Sequence, residues 1–148
     1  MLKKTAIFIL LILLGIQFIE IDKSAPAIDE TLTLQAPQEI MALLKQSCYD
    51  CHSFETRWPY YSSIAPVSFF MASHVKNGRN ALNFSLWSAM DEKIKAQRLQ
   101  RAVETVNNER MARPSYISAH EEAKLNKEEK ITLTNWFKSE LKTVNEKK

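Results

Sequence analysis

The chain has 148 residues, a formal net charge of +3, 45% hydrophobic residues and 25% charged residues. This is enough for one ordinary domain with an extra segment, and the composition excludes a disordered polymer. Only two glycines occur, which disfavours tight hairpins and favours helices joined by irregular stretches. The weak charge, with no basic cluster away from the chain ends, excludes nucleic-acid binding.

In chain order, Lys3 and Lys4 precede an apolar run from Thr5 to Ile19. Positive charge before such a run keeps the N-terminus in the cytoplasm. The run has the length of a signal-peptide core. It approaches the roughly 20 residues of a spanning helix if Ile21 is included and Gln17 and Glu20 are tolerated. The nearest approach to a cleavage site, Ser24-Ala25-Pro26-Ala27, carries an unfavourable proline. Residues 1–21 are therefore expected to form an uncleaved signal anchor, with a cleaved signal peptide as the rival. Either form delivers the remaining chain across the bacterial inner membrane to the periplasmic side. The anchor reading makes it a single-pass protein held through residues 5–21. Residues 22–37, polar and containing Pro26 and Pro37, read as a linker to a domain over residues 38–148.

A first helix is expected from about Gln38, where Ile40, Leu43 and Leu44 recur at helical spacing, and it should carry the motif cysteines towards its end. It leads into Cys48-Tyr49-Asp50-Cys51-His52, of the form C-x-x-C-H. That spacing reads as a c-type haem attachment site. Two thiols three positions apart can form thioethers with the two vinyl groups of one porphyrin, and the next imidazole can ligate the iron. No other cysteine occurs. A dithiol redox pair would ask for a strand-helix alternation that is missing here. A zinc site would need His74 or His120 to complete four ligands.

Beyond the motif, Phe54, Trp58, Tyr60 and Tyr61 crowd between prolines without periodicity, which predicts an ordered loop. A short helix over 67–76 should stop near Asn77-Gly78. Asn83 should cap a turn containing Leu86 and Trp87. A longer helix from about Asp91 to Val106 should turn Ile94, Leu99, Ala102, Val103 and Val106 inward. An irregular stretch, Arg110 to Tyr116, follows. A last helix should begin with a capping box at Asn126 and Glu129 and run through Ile131, Leu133, Trp136, Phe137 and Leu141. The expected fold class is all-α.

Several of these stretches together resemble the small bacterial haem-binding domain family. They are Cys48-Tyr49-Asp50-Cys51-His52-Ser53, Trp58-Pro59-Tyr60-Tyr61, Ile64-Ala65-Pro66, Gly78-Arg79 and Leu82-Asn83-Phe84-Ser85-x-Trp87. Met111-Ala112-Arg113-Pro114-Ser115-Tyr116 and Ala123-Lys124-Leu125 complete the pattern. The family usually reads Met-Pro where this chain has Met111-Ala112. The resemblance implies an N-terminal membrane segment followed by a domain that binds haem. A looser similarity to cytochromes c implies a small helical domain wrapped around one haem, with a ligating Met in a loop before the last helix.

The expected function is electron transfer by a membrane-anchored, exported monohaem c-type cytochrome, not catalysis. Haem would be attached at Cys48 and Cys51, with His52 as proximal and Met111 as distal iron ligand. Its partners would be redox proteins in or at the membrane. Met71, Met90, His74 and His120 compete with Met111. Met111 alone lies in an irregular segment between two helices, whereas His120 sits in a polar run where a solvated imidazole is the simple reading. The alternative is a haem-dependent, peroxidase-like enzyme or a gas or redox sensor with an open or labile sixth position, served by His74, Arg110 or Arg113.

Overall fold

The chain is helical wherever it is regular, as its apolar spacing and scarcity of glycine require, and no strand occurs among the described residues. The computed structural model describes residues 1–147. Helix α1 covers Leu2–Gly15, fourteen residues, followed by a single 3-10 turn over Ile16–Phe18 and extended backbone at Ile19. At 1.5 Å per residue α1 is about 21 Å long, short of the roughly 30 Å hydrocarbon layer. No helix among the described residues is long and apolar enough to cross a membrane. The expected spanning helix is thus corrected to a short apolar helix, ended where Gly15 weakens it.

The segment expected as a linker, residues 22–37, is partly built into the domain. Leu34 is buried in the core, its N–H donates to the Phe84 carbonyl at 2.8 Å, and Ser88 N–H donates to the Leu32 carbonyl at 2.9 Å.

Helix α2, Gln38–Ser47, begins where expected, with Pro37 before it, and buries Ile40, Leu43 and Leu44. It does not carry the motif cysteines. The backbone breaks at Cys48 (φ −126°), and a separate one-turn helix α3, Tyr49–His52, follows. The loop after it contains a 3-10 turn over Tyr60–Ser63.

Helix α4 runs Val67–Ala81, past the expected stop, with Gly78 inside it. Gly78 serves close packing here: a Cβ on it would overlap the Cys51 carbonyl oxygen and lie 3.0 Å from that carbonyl carbon. A side chain at 78 would push α4 off the motif. Asn83 caps the next turn, Phe84–Ala89, as expected, accepting from Ser85 N–H at 3.0 Å.

Helix α5, Glu92–Asn107, packs along helix α7, Lys127–Glu146, with a single turn, α6 (Pro114–Ile117), between them. The inward face of α5 differs from the expected one: Ile94 is exposed, while Lys95, Ala96, Leu99 and Val106 are buried. Lys95 is tolerated there because its ammonium lies over the Trp87 ring, Nζ 5.9 Å from the centroid, and reaches Glu92 at 2.6 Å. The capping box of α7 forms as expected, with Glu129 N–H to Asn126 Oδ1 at 2.9 Å and Asn126 N–H to Glu129 Oε2 at 2.7 Å. Along α7 Ile131 is exposed, and Leu133, Thr134, Phe137 and Val144 form the buried stripe. One core joins Leu34, α2, Tyr49, Phe84, Trp87, α5 and α7, with Met90 and Met111 packed at its edge.

Candidate functional site

Between the motif turn α3, helix α4 and the segment 111–120 lies a cavity of about 460 Å³, within the usual range for a small-molecule or cofactor site. Cys51, His52, Met71, His74, Met111 and His120 all line it. A smaller cavity of about 100 Å³ lies against Cys48, Phe84, Phe137 and the Arg98, Ala102 and Thr105 side of α5. His52 and Met111 line both. The fold therefore brings Cys48, Cys51, His52 and Met111 to one place, although Met111 is 59 positions after His52 (111 minus 52).

His52 is held in one tautomer. Its Nδ1 lies 3.0 Å from the Leu82 carbonyl, and a carbonyl only accepts, so Nδ1 carries the proton and Nε2 keeps its lone pair. Burial lowers its pKa, against smaller opposing effects of the Leu82 and Gly78 carbonyls. The imidazole is thus neutral and oriented, the form that ligates a metal. The Phe84 ring lies beside it at 6.2 Å and stacks on Tyr49 at 5.3 Å. Burial pushes the Cys48 thiol up to about 12 and the Cys51 thiol up to about 11. Both cysteines are free of any disulfide.

Asp50, the second variable residue of the motif, carries more of the site than the sequence disclosed. Its buried carboxylate accepts from Arg57 N–H at 3.0 Å, Arg57 Nε at 3.2 Å, Arg57 Nη2 at 3.1 Å and the Tyr116 hydroxyl at 2.5 Å. Burial alone would raise its pKa, but the Arg57 and Tyr116 hydrogen bonds outweigh it and hold the carboxyl below its ordinary value. The same hydrogen bond, after burial, raises the Tyr116 phenol. Asp50 thereby ties α3 to the following loop and to α6. Arg79, inside α4, closes that loop from the other side, donating to the Ser53 carbonyl at 2.9 Å and Thr56 Oγ1 at 3.0 Å.

Two further imidazoles stand in the otherwise largely apolar wall of the cavity. His74 donates from Nδ1 to the Phe70 carbonyl at 2.8 Å, and its Nε2 accepts from Arg113 Nη1 at 3.0 Å. His120 was expected to be solvated; it lines the cavity instead. Its Nδ1 donates to Glu122 Oε1 at 3.1 Å, its Nε2 accepts from the Tyr61 hydroxyl at 2.7 Å, and Tyr116 stacks on its ring at 4.6 Å. The expected loop position hid this, because the turn after α6 folds the polar run back over the cavity. Met90 and Arg110 line neither cavity. Among the described residues no group of three or more His, Cys, Asp or Glu side chains is placed to hold a metal ion, so the zinc alternative has no ligand set.

A flat tetrapyrrole with an iron at its centre fits this donor set. Two thiols and a neutral imidazole held through its Nδ1 lie on one short stretch, and a thioether meets the same two cavities.

The sequence model of a family described as a haem-binding domain matches residues 11–139. No curated protein and no solved structure matches the chain.

Proposed function

The chain belongs to the haem-binding domain family, and on that premise we propose that it is an exported monohaem c-type cytochrome that carries electrons. Cys48 and Cys51 would hold the haem by thioether bonds, and His52, through Nε2, and Met111 would ligate its iron. When bound, the group supplies one-electron chemistry, its iron alternating between ferrous and ferric forms. The chain does the rest. Leu82 fixes the His52 tautomer, Phe84 and Phe137 exclude water on the Cys48 side, and the Asp50–Tyr116 bond holds the segment that follows Met111. The observation that carries this reading is the His52 Nδ1–H bond to Leu82, which reserves Nε2 beside two thiols.

Lys3, Lys4 and the apolar α1 direct export. The chain then stays at the periplasmic side of the bacterial inner membrane through this segment, where it meets redox proteins in or at the membrane. It is a carrier and not a catalyst.

The test is covalent attachment. Protein matured in a host competent for c-type cytochromes should keep its haem through acid-acetone extraction, with intact mass raised by one haem. Haem that leaves with the solvent would overturn the reading, and Cys48→Ser or Cys51→Ser should weaken attachment.

A second reading is a peroxidase-like haem enzyme or a gas or redox sensor with an open sixth position. The pairing of Arg113 with His74 Nε2 on the cavity wall favours it, since a guanidinium and an imidazole there suit a bound peroxide or diatomic ligand. Rapid carbon monoxide binding by the ferrous protein would select it over the carrier.

A further inference from the structure

Gln17, just beyond α1, grips the backbone of Ala65 through both ends of its amide. Ala65 N–H donates to Gln17 Oε1 at 3.0 Å, and Gln17 Nε2 donates to the Ala65 carbonyl at 2.9 Å. Farther on, Lys23 Nζ donates to Ser63 Oγ at 2.7 Å, and Arg79 Nη1 donates to the Ser24 carbonyl at 3.4 Å. Residues 17–24 are fastened along the loop that leads into α4 and do not hang free as a tether would.

That fastening sets the end of α1 beside a second apolar surface. Tyr60, Ile64, Val67 and Phe70, on either side of Ala65 in sequence, are 84%, 50%, 43% and 56% exposed. Every residue of α1 from Ile7 to Leu14 is exposed as well. A helix that is apolar on all sides requires apolar surroundings on all sides, and a contiguous exposed apolar patch marks an interaction site.

We propose that Tyr60, Ile64, Val67 and Phe70 form a bilayer-contact surface, continuous with α1, that seats the domain against the lipid interface. This rests on the reading of α1 as the membrane segment. Lipid is the occupant because the element fastened to this surface is a run of Ile, Leu and Phe with no polar face to offer a protein groove. Tyr60 adds a ring with an apolar body and a polar tip, the side chain that favours the headgroup level. Lys23 and Arg79, which hold residues 23 and 24 at the edge of the surface, supply positive charge for anionic headgroups. Val67 and Phe70 also line the large cavity. Its mouth therefore opens beside the lipid, and electrons exchanged there go to or from a membrane-resident partner.

The experiment uses the full-length holoprotein in vesicles of phosphatidylcholine and phosphatidylglycerol. The vesicles carry a photoactivatable diazirine lipid, and adducts are mapped by peptide mass spectrometry. Adducts on residues 2–15 and on residues 60–70 are expected, with none around Ile131 on the outer face of α7. Gln17→Ala should lower the adducts on 60–70 several-fold and leave those on 2–15 unchanged, with an unaltered absorption spectrum reporting an intact domain. Adducts on 2–15 with none on 60–70 would overturn the proposal and leave the membrane reading standing. Protein that stays in the supernatant with no adducts on either stretch would overturn both. Adducts on 60–70 that do not change in Gln17→Ala would overturn the continuity of this surface with α1.

Discussion

Gly78 of α4 lies directly against the Cys51 carbonyl, so that a Cβ at 78 would come 3.0 Å from the carbonyl carbon and 3.1 Å from the Cys51 Cβ. The contact sets how closely α4 approaches the motif turn, and with it the width of the cavity. Gly78→Ala tests this with a diagnostic sign. In an unconstrained helix the change would stabilise by about 1 kcal/mol. Here it should destabilise by about 1–3 kcal/mol, as overpacking does. Chemical denaturation measures the change, and a broadened or shifted haem absorption should accompany it. A more stable protein with an unchanged spectrum would show that α4 does not bear on the motif.

Tyr116→Phe removes one donor from the buried Asp50 carboxylate and leaves Arg57 in place. Hydrogen bonds to charged groups contribute about 1.5–3 kcal/mol, so denaturation should show a loss of about 2 kcal/mol. Tyr116 lies five positions after Met111 (116 minus 111). The variant should therefore also weaken the ferric charge-transfer band of a thioether–iron bond. Lost stability with an intact band would make Tyr116 a purely structural residue.

Met111→Ala should abolish that band and lower the reduction potential, because a His/Met pair holds the potential up. Met111 lines both cavities with His52, while Met71 and His74 line only the larger one and Met90 lines neither. An unchanged spectrum and potential would remove Met111 from the iron, and His74→Ala would be the next variant to record. His74 starts at a disadvantage, its Nε2 being already engaged by Arg113.

Asn126→Ala should cost about 1 kcal/mol, the usual loss for an N-cap. It breaks the capping box at the start of α7, and neither Asn126 nor Glu129 lines either cavity. Thermal or chemical unfolding should show the loss while the haem spectrum and potential stay fixed. A shifted potential would mean that the α5–α7 pair reaches the iron site more directly than its packing indicates.

The sequence by itself set two thiols and an imidazole side by side. Cys48, Cys51 and His52 lie on one short stretch, and their spacing is read without any fold. It also determined the helical class, the start of α2, the cap at Asn83 and the capping box at Asn126, because each depends on neighbours a few positions apart. Tertiary structure decided what depends on distant pairs. Gly78, with its helix-stopping chemistry, lies inside α4 because the Cys51 backbone needs the space. Ile94 faces out and Lys95 in, because Trp87 offers its ring to the lysine. His120, in a polar run that promised solvent, joins the cavity because Tyr61 and Tyr116 meet it there. The end of the expected anchor segment docks because one Gln17 amide matches the Ala65 backbone, 48 residues away, and the expected linker docks through Leu34 on Phe84. Local chemistry is written in local order; the faces, approaches and partners follow from which surfaces the folded chain can bury together.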